Sequence, residues 1–329
     1  MSKNFLNGIQ KQWITVPVSM LVIAMAILIL NPQNIPVLQS HPRPAHNYTE
    51  ALQLIENLQN EERQKMNPVG RLQLMSHQKK TDRAIILVHG YTSCPQQFHE
   101  LGLRFFSAGY NVLIAPLPHH GLADPMTKEQ SRLTAGELAA YADRTVDIAR
   151  GLGNQVIMMG LSAGGVTTAW AAQNRNDVDL AVIISPAFGF KKVPSSLTAA
   201  AMNIYGFLPD VFEWWDPVLK EKVLPAHGYP QYSRHALVEI LRLGFAVKDE
   251  ARHKTPAAGK IVLIYNANDN MINNDVTEEL ATVWQEHYAN LKTCEFNSRL
   301  KLTHDLIDPA QPNQRIDIVY PLLMELVSR

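Results

Sequence analysis

The most constraining stretch of this chain is Gly160-Leu161-Ser162-Ala163-Gly164, because of what flanks it. Val156-Ile157-Met158-Met159 before it reads as a buried strand, and Gly165 to Ala172 after it reads as the first turns of a helix. A glycine–x–serine–x–glycine turn between strand and helix is too tight for side chains at its flanks. It lifts the serine oxygen above the sheet edge, beside the positive end of the helix. A chain built around such a turn is committed to an α/β architecture with a serine at its functional rim.

The rest of the sequence keeps that rhythm. Apolar runs at Leu72–Ser76, Ala84–His89, Asn111–Ala115, Gln155–Gly160, Leu180–Ser185, Lys260–Asn266 and Phe296–Leu302 are candidate strands. Helical patterns lie between and after them, at 95–108, 135–151, 165–174, 275–290 and 311–327, and one precedes them at 49–66 with Thr49 as its cap. Short apolar strands alternating with helices predict a mainly parallel sheet covered on both faces. The interval 187–256 breaks the alternation. It holds no clear strand and is rich in aromatics, and it reads as a helical cap over the carboxyl ends of the strands, where open α/β sheets bind ligands. Most of its aromatics are expected in the cap's own core, with Trp214 or Trp215 facing substrate.

A serine hydroxyl needs a base within hydrogen-bond reach and an acid behind the base. The strand ending at Asn266 runs into a loop carrying Asp269, and the last strand runs into a loop carrying His304. Ser162, Asp269 and His304 therefore all stand at post-strand positions, in the order serine, acid, histidine that goes with a strand-to-helix serine turn of this kind. Asp275, the rival acid, reads as a helix start. A developing oxyanion needs two donors fixed in advance, and the backbone amides of Tyr91, after the strand ending in His89-Gly90, and of Ala163 are placed to supply them. His89 itself is read as a brace for that loop.

Together the stretch ILVHGYTSCPQQFHELGLRFFSAGYNVLIAPLPHHG, the elbow GLSAGG, the loop NANDN and the terminal THD resemble the α/β-hydrolase superfamily. The resemblance is nearest to its carboxylesterase and monoacylglycerol-lipase-like branch, grouped with serine aminopeptidase-type hydrolases, and it covers Ile85 to the C-terminus. It implies the α/β-hydrolase fold and ester hydrolysis through an acyl-enzyme, with Ser162, Asp269 and His304 as the triad and with no metal or cofactor. The implied partner is a small-molecule acyl ester, of short or medium chain or monoacylglycerol-like. An amidase, peptidase or acyltransferase on the same triad, and a non-catalytic lipid-binding module, are the alternatives. The chain departs from the family pattern at His119-His120-Gly121, where relatives often carry Gly-His-Gly, and at Asn266 and Asn268 in the acid loop.

The N-terminus follows a different logic. Residues 13–30, WITVPVSMLVIAMAILIL, are uninterrupted and uncharged. Eighteen helical residues span ~27 Å, against a hydrocarbon core of ~30 Å. Lys3 and Lys11 precede the stretch and Arg43 alone follows it before Arg63, which predicts a single transmembrane helix with residues 1–12 cytoplasmic and the remainder extracytoplasmic. Secretion after signal cleavage is the alternative, although the stretch lacks a small-residue cleavage site at its end. Residues 31–47, with four prolines, read as a linker to a hydrolase domain at 48–329. Lys plus Arg equals Asp plus Glu at 30 each, which gives no basic footprint for nucleic acid. Two cysteines, Cys94 and Cys294, are too few for a disulfide framework or a zinc site.

Overall fold

Alternate residues of a buried strand face opposite sides of its sheet, so a strand covered on both faces must be apolar throughout. The strand Ala84-Ile85-Ile86-Leu87-Val88 shows this. Ala84, Ile86 and Val88 enter one core, Ile85 and Leu87 the other, and all five are buried. The computed structural model describes residues 28–328 apart from 62–64, 224 and 288.

In chain order, the helix α1 (Tyr48–Glu61) precedes β1 (Gln73–Met75) and β2 (Thr81–Val88). Then come α2 (His99–Ser107), β3 (Asn111–Ile114), α3 (Ala135–Leu152), β4 (Gly153–Leu161), α4 (Ala163–Asn174) and β5 (Leu180–Ile184). The cap follows, with α5 (Thr198–Phe207), β6 (Phe212–Trp214), β7 (Gln231–Ser233) and α6 (Arg234–Ala251). The body closes with β8 (Ile261–Asn266), α7 (Asn274–Glu286), β9 (Leu291–Phe296) and α8 (Ile316–Ser328). The main sheet runs β1-β3-β2-β4-β5-β8-β9, and only the β1–β3 pairing is antiparallel. Residues of α3, α4, α6 and α7 fill the larger core, and those of α2 and α8 fill the smaller one. Parallel order sends β2, β4, β5 and β8 to end at one rim, which is where the loops carrying Tyr91, Ser162 and Asp269 begin.

Three expectations are corrected. The last strand is β9 at Leu291–Phe296, not 296–302. It is an edge strand whose Lys292, Thr293 and Glu295 are exposed, so it lacks the apolar run that marks its buried neighbours. Asn297 caps a single 3-10 turn at Ser298–Leu300 instead of extending the strand. The cap of α1 is Asn47, whose side-chain oxygen accepts from the Glu50 amide at 3.0 Å, rather than Thr49. The cap domain is not wholly helical, since β6 and β7 pair antiparallel within it.

The predicted transmembrane helix lies outside the described residues except for Leu28–Leu30, and among the described residues no helix is long and apolar enough to cross a membrane. The proline-rich segment after it has no regular structure, as its prolines dictate, yet it is tied to the body. Arg175, with no exposed side-chain surface, pairs with Asp143, Asp147 and Asp177. The carboxylate oxygens of Asp143 and Asp147 also accept the amides of His41 (2.8 Å) and Arg43 (3.0 Å) and the Ser40 hydroxyl. One guanidinium cannot satisfy three carboxylates, and the strap supplies the missing donors.

Candidate active site

The elbow is as tight as its sequence requires. A Cβ on Gly160 would stand 2.1 Å from the Gly164 carbonyl oxygen, and one on Gly164 would stand 2.2 Å from that of Val88. Between them Ser162 takes φ 58° and ψ −116°, a backbone state that costs a non-glycine residue about 1–3 kcal/mol. Three hydrogen bonds hold it there. The Ser162 amide donates to Ile184 O (3.0 Å), and its carbonyl accepts from Val166 (3.0 Å) and Ala187 (3.2 Å).

Asp269 and His304 meet. The His304 Nδ1 donates to Asp269 Oδ2 at 2.8 Å, and the other carboxylate oxygen accepts the amides of Met271 and Ile272, each at 2.9 Å. This arrangement leaves His304 Nε2 as the acceptor-bearing nitrogen. Burial alone would lower the His304 pKa, but the Asp269 carboxylate outweighs it, and the imidazole holds its proton above the usual histidine range. Burial works to raise the Asp269 pKa, but the charge and hydrogen bond of His304, with the two amides, carry it below the usual carboxylate range. Ser162 and His304 line one cavity of ≈ 290 Å³ together with Tyr91 and the apolar side chains of Phe190, Trp215, Leu237, Ile240 and Met271. Trp215 thus stands where substrate is expected; Trp214, the preceding residue, is not among the lining residues and pairs with Gln231 in the cap's small sheet.

Two backbone donors remain. Among the described residues the amides of Tyr91 and Ala163 meet no acceptor, although the amides of Gly90, Thr92 and Ser162 beside them all do. Their loop is clamped by histidines. His89 Nδ1 donates to Gly90 O (2.8 Å) and its Nε2 accepts the Leu117 amide (2.9 Å). His120 Nδ1 donates to Pro118 O (2.8 Å) and its Nε2 accepts the Thr92 amide (3.2 Å). Each ring must be neutral to do both. Burial first, and then the neighbouring imidazole, push His89 down to about 3, and burial pushes His120 to about 4. His89 is a brace, as its sequence position suggested.

Sequence reasoning missed the residues that join the loops. Gln97 accepts the Gly90 amide on Oε1 (2.8 Å) and donates from Nε2 to Asp305 Oδ2 (2.7 Å). Asp305 directly follows His304, so one glutamine fastens the Gly90–Tyr91 loop to the histidine loop. Burial, and then the nearby Asp308, raise the Asp305 pKa. Asn266 and Asn268 donate side-chain hydrogen bonds to the carbonyls of Leu302 and Thr303 at 2.9–3.2 Å, which ties the acid loop to the segment before His304. The departure from the family pattern at those two positions marked them, although not what they hold. The cap also grips the Tyr91–Thr92 loop. Trp215 Nε1 donates to Thr92 Oγ1 (2.8 Å), the Tyr229 amide donates to Thr92 O (2.8 Å), and the Ser233 amide donates to the Tyr91 hydroxyl (2.9 Å). Cys94 and Cys294 are free thiols, and burial pushes Cys94 up to about 12.

Comparison with known proteins places the chain in a family. The family model described as serine aminopeptidase, S33 matches residues 79–307. A thermostable monoacylglycerol lipase of Bacillus sp. (strain H-257) is 24% identical over 159 residues, which is 48% of this chain and 60% of that protein. The match therefore spans less than two thirds of that relative's length. Among solved structures, one described among two metagenome-derived lipolytic enzymes, LipS and LipT, superposes with a TM-score of 0.61 at 17% identity, covering 80% of this chain and 99% of the other. The monoacylglycerol lipase of Paleococcus ferrophilus gives 0.58 at 17% identity, covering 78% and 97%. These superpositions speak to fold.

Proposed function

Because the chain belongs to the serine aminopeptidase S33 family, of α/β-hydrolase fold, we propose that it is a serine hydrolase that cleaves carboxylic esters. The favoured substrates are short- or medium-chain acyl esters or monoacylglycerol-like esters. The observation that carries this reading is the 2.8 Å pairing of His304 with Asp269 at the rim of the cavity that Ser162 lines.

The chemistry follows from the geometry. Asp269 fixes the proton on His304 Nδ1, so Nε2 is free to take the Ser162 proton as the hydroxyl oxygen attacks the ester carbonyl. The charge that develops on the carbonyl oxygen is met by the amides of Tyr91 and Ala163, which need not reorganise because neither is engaged in the resting protein. His304 then returns the proton to the departing alcohol, and water repeats the sequence on the acyl-enzyme. The apolar wall of Phe190, Leu237, Ile240 and Met271 suits the acyl chain. The apolar stretch 13–30 would hold the enzyme in a membrane with its N-terminus cytoplasmic and the hydrolase domain outside.

The test is fluorophosphonate labelling, with a panel of p-nitrophenyl esters. Ser162→Ala should abolish labelling and lower turnover by about 10⁴-fold or more while leaving the melting temperature within a few degrees. Turnover that survives the substitution would sink the reading.

A further inference from the structure

The cap carries a run of apolar side chains that are partly or almost wholly exposed. Ile204, Phe207, Leu208 and Val211 are exposed, with Phe207 retaining 90% of its surface, and Val218 at 88% lies a short loop further on. Isolated exposed apolar residues are ordinary, but a contiguous set with a bare phenylalanine marks a contact surface.

What meets this surface is indicated by Asn203, one turn before Phe207 on α5. Its side-chain NH2 donates to the carbonyls of Ile29 (2.8 Å) and Asn31 (2.6 Å), and its oxygen accepts the Gln33 amide at 3.0 Å. The last carbonyls of a helix need outside donors, and here a cap residue supplies them to the helical turn Leu28–Leu30. Leu28, Ile29 and Leu30 are themselves exposed and are the final residues of the apolar stretch 13–30. The membrane end of the chain is therefore fastened to the same cap helix that bears the bare apolar row. Exposed Lys191, Lys192, Lys220 and Lys222 flank the row in sequence, as suits a surface that meets anionic headgroups.

We propose that this face of the cap, from Ile204 to Val211 with Val218, is seated in the interface of the lipid bilayer, and that Asn203 is the joint that holds it there. The inference rests on the membrane-anchored reading above and goes beyond it, because an anchor alone would leave the domain free to tumble. A seated cap brings the active-site cavity, whose wall includes Trp215 and Leu237 of the cap, to the surface in which a monoacylglycerol-like ester dissolves.

The full chain, reconstituted in phosphatidylcholine–phosphatidylglycerol vesicles, separates the two ideas. Retention through an alkaline carbonate wash reports the anchor. Seating is read by comparing hydrolysis of a monoacylglycerol held in the bilayer with that of water-soluble p-nitrophenyl butyrate. In the Ile204→Glu, Phe207→Glu double variant, wash resistance should persist, butyrate turnover should stay within about twofold, and bilayer-ester turnover should fall about tenfold. An unchanged ratio of the two rates overturns the proposal. An independent readout uses Phe207→Cys labelled with bimane in a Cys294→Ser background. Lipid-borne nitroxide should quench it more than aqueous iodide does, and the reverse order overturns the seating whether or not either ester is hydrolysed. Release by carbonate counts against the anchor alone, because the quenching still decides where the cap lies.

Discussion

The rim of the sheet and the face of the cap solve opposite problems. At the rim, polar groups are buried and nearly every one is engaged. Asp269 has three donors, His89 and His120 each make two hydrogen bonds, and Gln97 spans two loops. Among the described residues the amides proposed for the oxyanion are spare, as are the buried hydroxyls of Ser93 and Ser185. The cap's outer face is apolar and exposed, while its inner side bonds to the body at Thr92 and Tyr91 and also through Tyr229 to Leu122, His227 to Asp308 and Glu239 to Ala135. The difference separates chemistry from access: groups that must not reorganise during reaction are over-determined, whereas the part that meets the substrate's surroundings is left open.

If that division holds, changes at the rim should act on turnover and changes in the cap on substrate choice. The largest effect within the described network should come from Asp269→Asn, with a loss of about 10³–10⁴-fold in kcat. The same variant gives a sign test in pH. In the parent, His304 must be unprotonated to accept the serine proton and its pKa is raised, so kcat/KM should fall on the acid side with a midpoint above about 6.5. Without that carboxylate only the weaker pull of Asp305 opposes burial, and the midpoint of the residual activity should move to lower pH.

Gln97→Leu should come next, at about 10–100-fold in kcat with KM little changed. It misplaces the Gly90–Tyr91 segment without removing a donor, and loss of a donor outright costs about 10²–10³-fold. Weaker inhibition by a trifluoromethyl ketone, in parallel with the loss in kcat, would show that the effect lies in oxyanion binding. Equal inhibition would assign Gln97 to stability alone. The smallest effect should be that of Trp215→Phe, which removes one hydrogen bond worth about 1 kcal/mol. Turnover should change by only a few fold, with a shift in the preferred acyl length across the p-nitrophenyl panel. A large uniform loss would erase the distinction between rim and cap.

The elbow and the loop of Asp269 were legible because each is announced locally, by a buried strand running into a polar loop, whereas His304 was read from a strand at 296–302 that the structure places at Leu291–Phe296. The sheet was legible wherever its strands are covered on both faces. β9 was misplaced because an edge strand carries polar residues on its open side. The bridges made by Gln97, His120 and Asn266 were not legible, because each joins segments brought together only by the fold. His119 is an intermediate case: it stands where relatives often have glycine and has φ 64°, the left-handed state that glycine adopts freely. The sequence marked the position as unusual, and only the backbone explains why.

The bonds from the cap to Thr92 and Tyr91 make the protein an interlock. On the proposed chemistry, moving the cap aside far enough to free Trp215, Tyr229 and Ser233 would strip the supports from the segment offered to the oxyanion, so that loading and reaction would have to alternate.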